Sequence, residues 1–132
     1  MNDRALKMNQ EIKPVEIIVD KYCPFYYAGA SGDFNLIHID NEFAKSVGLP
    51  GLILQGLCTM AFVCRVAIGD NNPEKLKKIK VRFRNIVRPL DTLSIKGNIV
   101  NIENNLATID LIVKNQRNED VITNAQVVVL NA

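Results

Sequence analysis

The run LCTMAFVCRVAI, Leu57 to Ile68, limits the choice of fold more than any other part of the chain. It is apolar on nearly every helical face, so the helix it predicts has to be covered all round and not along one stripe. At 1.5 Å per residue it is about 18 Å long, well short of a hydrocarbon core of about 30 Å. The wider apolar stretch from Leu49 is interrupted by Pro50, Gly51, Gln55, Gly56 and Arg65, so membrane insertion is not expected. A single helix of this kind needs a sheet large enough to wrap it.

That sheet is written in the second half of the chain. From Lys78 to Ile86, Ile79, Val81 and Phe83 alternate with Lys80, Arg82 and Arg84, the period of a half-buried strand. Leu93, Ile95, Gly97 and Ile99 repeat the pattern after the turn-like Arg88–Asp91, and Ala107, Ile109, Leu111 and Val113 repeat it after Glu103–Asn104–Asn105. Val121 to Leu130 makes a fourth run, and these short connections predict a largely antiparallel meander. Before Pro73, Val15 to Lys21 supplies one more strand, ended by Pro24. Asn41 to Val47 reads as a short helix capped by Asp40 or Asn41 and stopped by Gly48. The order strand, loops and short helix, buried helix, four strands is that of a single α+β hot dog fold, a curved antiparallel sheet around one central helix. It occupies one domain over residues 1–132, with 1–13 expected to be a flexible N-terminus.

Composition removes several classes of function. Sixteen Lys plus Arg against fourteen Asp plus Glu leave a net charge of +2, too balanced for a general nucleic-acid or membrane-surface binder. Cys23, Cys58 and Cys64 lie in apolar surroundings without CxxC spacing, so they read as small buried hydrophobes and not as a disulfide framework or a metal site. The N-terminal MNDRALKMNQEIKP lacks the apolar core of a signal peptide, and a cytoplasmic protein is the expectation.

The chemistry concentrates in YAGASGDFNLIH, residues 27 to 38. It holds the only histidine of the chain, His38, five residues after Asp33. Gly29, Gly32 and Asn35 indicate a loop with unusual backbone angles, and an Asp and a His in one loop can hold a water and pass a proton. A lone His beside Ile37 and Ile39 is equally readable as a core residue, and Asp33 after Ser31–Gly32 as a turn residue. Gly56, at the head of the buried helix, would let a carbonyl oxygen approach unpaired helix N–H groups, or would merely let chain pass close by.

Taken together, YAGASGDFNLIH, AKSVGLPGLILQGL with TMA after it, and VRFRNIVRPLDTL resemble the MaoC-like (R)-specific enoyl-CoA hydratases and (3R)-hydroxyacyl dehydratases, over roughly residues 22 to 95. The resemblance implies catalytic roles for Asp33 and His38, an oxyanion-binding N–H at Gly56, and loop support from Asn35, Ser31 and Gly32. The family's Pro before Ile-His is Leu36 here, and its His-Gly-Met is Gln55–Gly56–Leu57. The implied reaction adds water to a trans-2-enoyl thioester to give a (3R)-3-hydroxyacyl thioester, or runs in reverse, with no metal or organic cofactor. The substrate would be carried on CoA or on an acyl-carrier pantetheine.

Gln55, Leu57, Arg82 and Arg84 are candidate substrate contacts. The two arginines, with Arg88, would meet the phosphates of the carrier, although alternation also makes Arg82 and Arg84 an ordinary solvated strand face. Phe25, Tyr26, Leu52 and Phe62 are candidates for shaping an acyl tunnel. A homodimer is expected by analogy with the fold. The competing readings are a non-catalytic acyl-binding subunit, which would tend to lose the Asp and His retained here, and a hot dog thioesterase. The latter would want a carboxylate that Leu57–Ile68 does not contain.

Overall fold

The computed structural model describes residues 5–69 and 72–131. Its centre is a hairpin of β3 (Thr92–Glu103) and β4 (Leu106–Lys114), turned by Asn104 and Asn105, both at positive φ (52° and 61°). A two-residue turn of that hand matches the twist of the strands, and Asn tolerates it better than most side chains. β5 (Asp120–Leu130) returns antiparallel beside β4, and the edges are β1 (Val15–Ile18) on β3 and β2 (Leu76–Phe83) on β5. The order is therefore β1-β3-β4-β5-β2. The meander expected for the last four strands holds only for β3 to β5. β2 crosses to the far edge because β1 already occupies the free side of β3.

Register explains the alternation. Ile95 pairs with Val113, Ile99 with Ile109, and Ile109 with Val127, so the buried residues share one face. Each such side chain contributes about 1.5–3 kcal/mol relative to exposure. Register irregularities in β2–β5, β3–β4 and β4–β5 let the sheet bend around its contents. Gly97 is required by close approach, since a Cβ there would lie 2.8 Å from the Asp110 carbonyl oxygen and 3.0 Å from Ile12 Cδ1.

The central helix, Gly56–Ile68, packs against β2, β3, β4 and β5. It is not buried all round. Cys58, Thr59, Val63 and Ala67 face the sheet, while Leu57, Ala61 and Arg65, one helical stripe, are exposed. One five-stranded sheet covers one side of a helix, and the apolar second side is left open. No helix of the described residues is long and apolar enough to cross a membrane.

Two further expectations change. The stretch read as loop between Pro24 and Asp40 is mostly helical, with helices at Cys23–Ser31 and Leu36–Ile39 ahead of the expected one at Asn41–Ser46. In chain order these are α1, α2 and α3, and the central helix is α4. Pro24 starts α1 and Gly32, at φ 79°, ends it, the usual asymmetry of helix ends. The N-terminal stretch is also not loose from Leu6 onward. Asn9 and Ile12 donate backbone N–H groups to Ile99 and Gly97 of β3, and Leu6 and Ile12 pack against the core. These contacts occupy the part of β3 that the short β1 leaves unpaired; residues 1–4 lie outside the described residues.

Candidate active site

Asp33 is held by a relay of short local bonds. The Ser31 hydroxyl donates to the Tyr27 carbonyl (2.7 Å) and accepts from the Asp33 N–H (3.1 Å). Asp33 Oδ1 accepts from the Asn35 N–H (3.3 Å), and Asn35 Oδ1 caps α2 by accepting from the Ile37 N–H (3.3 Å). Small polar side chains bond to nearby backbone in this way, and here they fix the four residues between α1 and α2.

α2 then presents His38, which is buried. Its Nδ1 lies 2.8 Å from the Ile53 carbonyl oxygen. A carbonyl only accepts, so Nδ1 carries a proton, and in the neutral imidazole Nε2 is then the acceptor. Nε2 lies 3.7 Å from Asp33 Oδ2, whose side chain is 45% exposed. That separation is too long for a direct hydrogen bond, and two acceptors so placed can take the two hydrogens of one water.

The same backbone stretch leads to the head of α4. The Ile53 N–H donates to the Ile37 carbonyl (3.0 Å) and the Leu54 N–H to Val87 (2.8 Å), tying residues 53–55 both to the histidine's helix and to the strand side. Gly56 opens α4 exposed, and its N–H has no acceptor within the helix. The Phe83 ring of β2 covers it, since a Cβ on Gly56 would lie 3.3 Å from the ring. Gln55, fully buried, donates from Nε2 to the Pro24 carbonyl (2.9 Å) and joins α4 to α1, while its Oε1 has no partner. Leu57 is 62% exposed.

Hydrogen bonds thus join Ser31, Asp33 and Asn35 just after Gly32 ends α1, the 3.7 Å approach brings His38 to Asp33, and Ile53, which holds His38, leads along the chain to Gln55 and Gly56. Arg82, Arg84 and Arg88 are exposed side chains, Arg82 alternating to the opposite side of β2 from Phe83. Among the tunnel candidates Phe62 and Leu52 are half-buried, and Phe25 and Tyr26 are exposed on α1. Sequence reasoning did not find Phe83 as the cover of Gly56, nor the Ile53 carbonyl that sets the His38 tautomer. The Arg-Phe pair in the third motif was the available signal for the first; a backbone carbonyl leaves none. Among the described residues no three His, Cys, Asp or Glu side chains gather as metal ligands would.

Of the three cysteines only Cys58 is buried; Cys23 and Cys64 are partly exposed, because α1 lies at the surface and Cys64 sits on a flank of α4. Burial, and after it the neighbouring Cys23 sulfur, push the Cys58 thiol up to about 12.

A curved five-stranded antiparallel sheet packed on one central helix defines a hot dog domain. Within that class the chain belongs to the MaoC like domain family, whose model matches residues 5–121. Over 67 residues it is 45% identical to the peroxisomal hydratase-dehydrogenase-epimerase of Saccharomyces cerevisiae, covering 51% of this chain and 7% of that protein. Over 70 residues it is 43% identical to the probable enoyl-CoA hydratase 2 of Dictyostelium discoideum, covering 51% of this chain and 24% of that protein. The matches span less than a quarter of either relative's length. The solved (R)-hydratase from A. caviae involved in PHA biosynthesis shares the fold with a TM-score of 0.82, at 20% identity over 95% of this chain and 97% of that one.

Proposed function

We propose that the protein is a hydro-lyase that adds water to trans-2-enoyl thioesters to give (3R)-3-hydroxyacyl thioesters, or catalyses the reverse dehydration. The observation that carries this reading is the 3.7 Å pair of His38 Nε2 and Asp33 Oδ2, with Nδ1 committed to the Ile53 carbonyl. Family membership and the names of the relatives support it.

In this mechanism the thioester carbonyl takes a hydrogen bond from the Gly56 N–H and is further polarised by the positive end of α4. Electron density is drawn from C3, where a water held between Asp33 and His38 Nε2 attacks. One of the two groups removes the water's proton as the C–O bond forms, and a proton is returned to C2 of the enolate. In this reading the Gly56 N–H, Asp33 and His38 carry the steps between them. Two copies of the chain pair, closing the open side of α4 along Leu57 and Ala61.

The test is incubation of the purified protein with crotonyl-CoA, following loss of the enone absorbance and determining the configuration of the product. A (3R)-3-hydroxybutyryl product supports the assignment; a (3S) product, or thioester cleavage without hydration, contradicts it.

A further inference from the structure

We propose that Cys23 and Cys58 form a redox modification site, in which peroxides or small disulfides convert the pair to an intramolecular disulfide that fastens α1 to α4. The two sulfurs lie 3.8 Å apart although the residues are 35 apart in sequence. A disulfide bond is about 2.05 Å long, so the sulfurs need approach by about 1.8 Å. Cys64, six residues further along α4 and on another face of it, serves as the internal comparison.

The two positions differ in the way a stepwise closure requires. Cys23 opens α1 and is partly exposed, so it is the sulfur an oxidant reaches first. Cys58 is buried in the first turn of α4, and its raised thiol pKa makes it the slower of the two to meet an oxidant, so its proton leaves only as the second bond forms. With hydrogen peroxide, the Cys23 sulfur attacks the O–O bond and becomes a sulfenic acid, releasing one water. The Cys58 sulfur then attacks Cys23 Sγ, and the hydroxyl leaves as a second water with the proton Cys58 gives up. Two thiols and one peroxide become one disulfide and two waters, each sulfur losing one electron.

The bond would close a loop that contains Asp33 and His38, anchored two residues beyond Gly56. Gln55 already joins the same two helices through the Pro24 carbonyl, so the disulfide would add a second and stiffer tie at the same seam. A cross-link over so long a loop chiefly restricts the unfolded chain.

The experiment treats the reduced, purified chain with one to two equivalents of hydrogen peroxide, or with glutathione disulfide, and reads free thiols, intact mass and a peptide map. The expected result is loss of two of the three thiols, a mass lower by two hydrogens, a Cys23–Cys58 linked peptide, a Tm higher by at least about 5 °C, and reversal by dithiothreitol. Cys64→Ser should behave as the parent, and Cys23→Ser should form no intramolecular disulfide. Three thiols retained, a bond through Cys64, or a Cys23 adduct that never closes on Cys58 would overturn the site. These readings need no substrate, so they stand or fall apart from the proposed hydratase activity.

Discussion

At the scale of single residues, the account rests on how little freedom Asp33 and His38 have. Ser31 holds the Asp33 backbone N–H, the Asn35 N–H holds the Asp33 carboxyl, and the Ile53 carbonyl holds the His38 ring. Asn35→Ala should cost about 1 kcal/mol in stability through the lost α2 cap, and should lower turnover by more than its stability loss explains, about tenfold. Thermal melts and kcat at saturating crotonyl-CoA check both. The arginines test a separate idea: replacing Arg82 and Arg84 together by Ala should raise KM for acyl-CoA with little change in kcat if they meet carrier phosphates. An unchanged KM assigns them to the solvated face of β2. The local motif was legible because Ser, Gly, Asp and Asn act on backbone one to four residues away. The Ile53 and Pro24 carbonyls were not, since they come from distant chain and have no side-chain signature.

At the scale of elements, the period-2 runs announced the buried positions of β3 to β5, because a sheet face is fixed by which side chains are apolar, although β3 continues past Ile99 to Glu103. Strand order depends on where the connections run, and the crossing of β2 to the edge beside β5 was hidden for that reason. α1 was missed because Pro24 was taken as the end of a strand when it begins a helix that Gly32 terminates. Gly97→Ala tests the tightest point of the sheet. Its Cβ would meet the Asp110 backbone oxygen at 2.8 Å, which cannot move without disturbing β4, so a loss of about 1–3 kcal/mol is expected in denaturant unfolding. The 115–119 loop makes a pH prediction. A hydrogen bond from Arg117, and then one from Asn115, hold the Glu119 carboxyl below its ordinary 4.5, so its contribution is complete above that value and is lost as pH falls through the lower folded one. Glu119→Gln should therefore flatten the acid side of the Tm-against-pH curve below about 4.5, by a small amount because the side chain is largely exposed.

At the scale of the whole molecule, the open side of α4 is the feature that the run from Leu57 to Ile68 did not disclose by itself. An apolar helix states that it must be covered; it does not say whether its own sheet or another copy provides the cover. Sedimentation at micromolar concentration should give a mass near twice 14.8 kDa, and a monomer would contradict pairing of copies. The measurement that bears most directly on the central claim is kcat for crotonyl-CoA hydration by the parent chain beside Asp33→Asn and His38→Ala, with melts to show that each variant is folded. The account predicts a fall of at least about 100-fold in both variants at near-parental Tm. Folded variants that keep the parental rate would show that this pair does not carry the reaction.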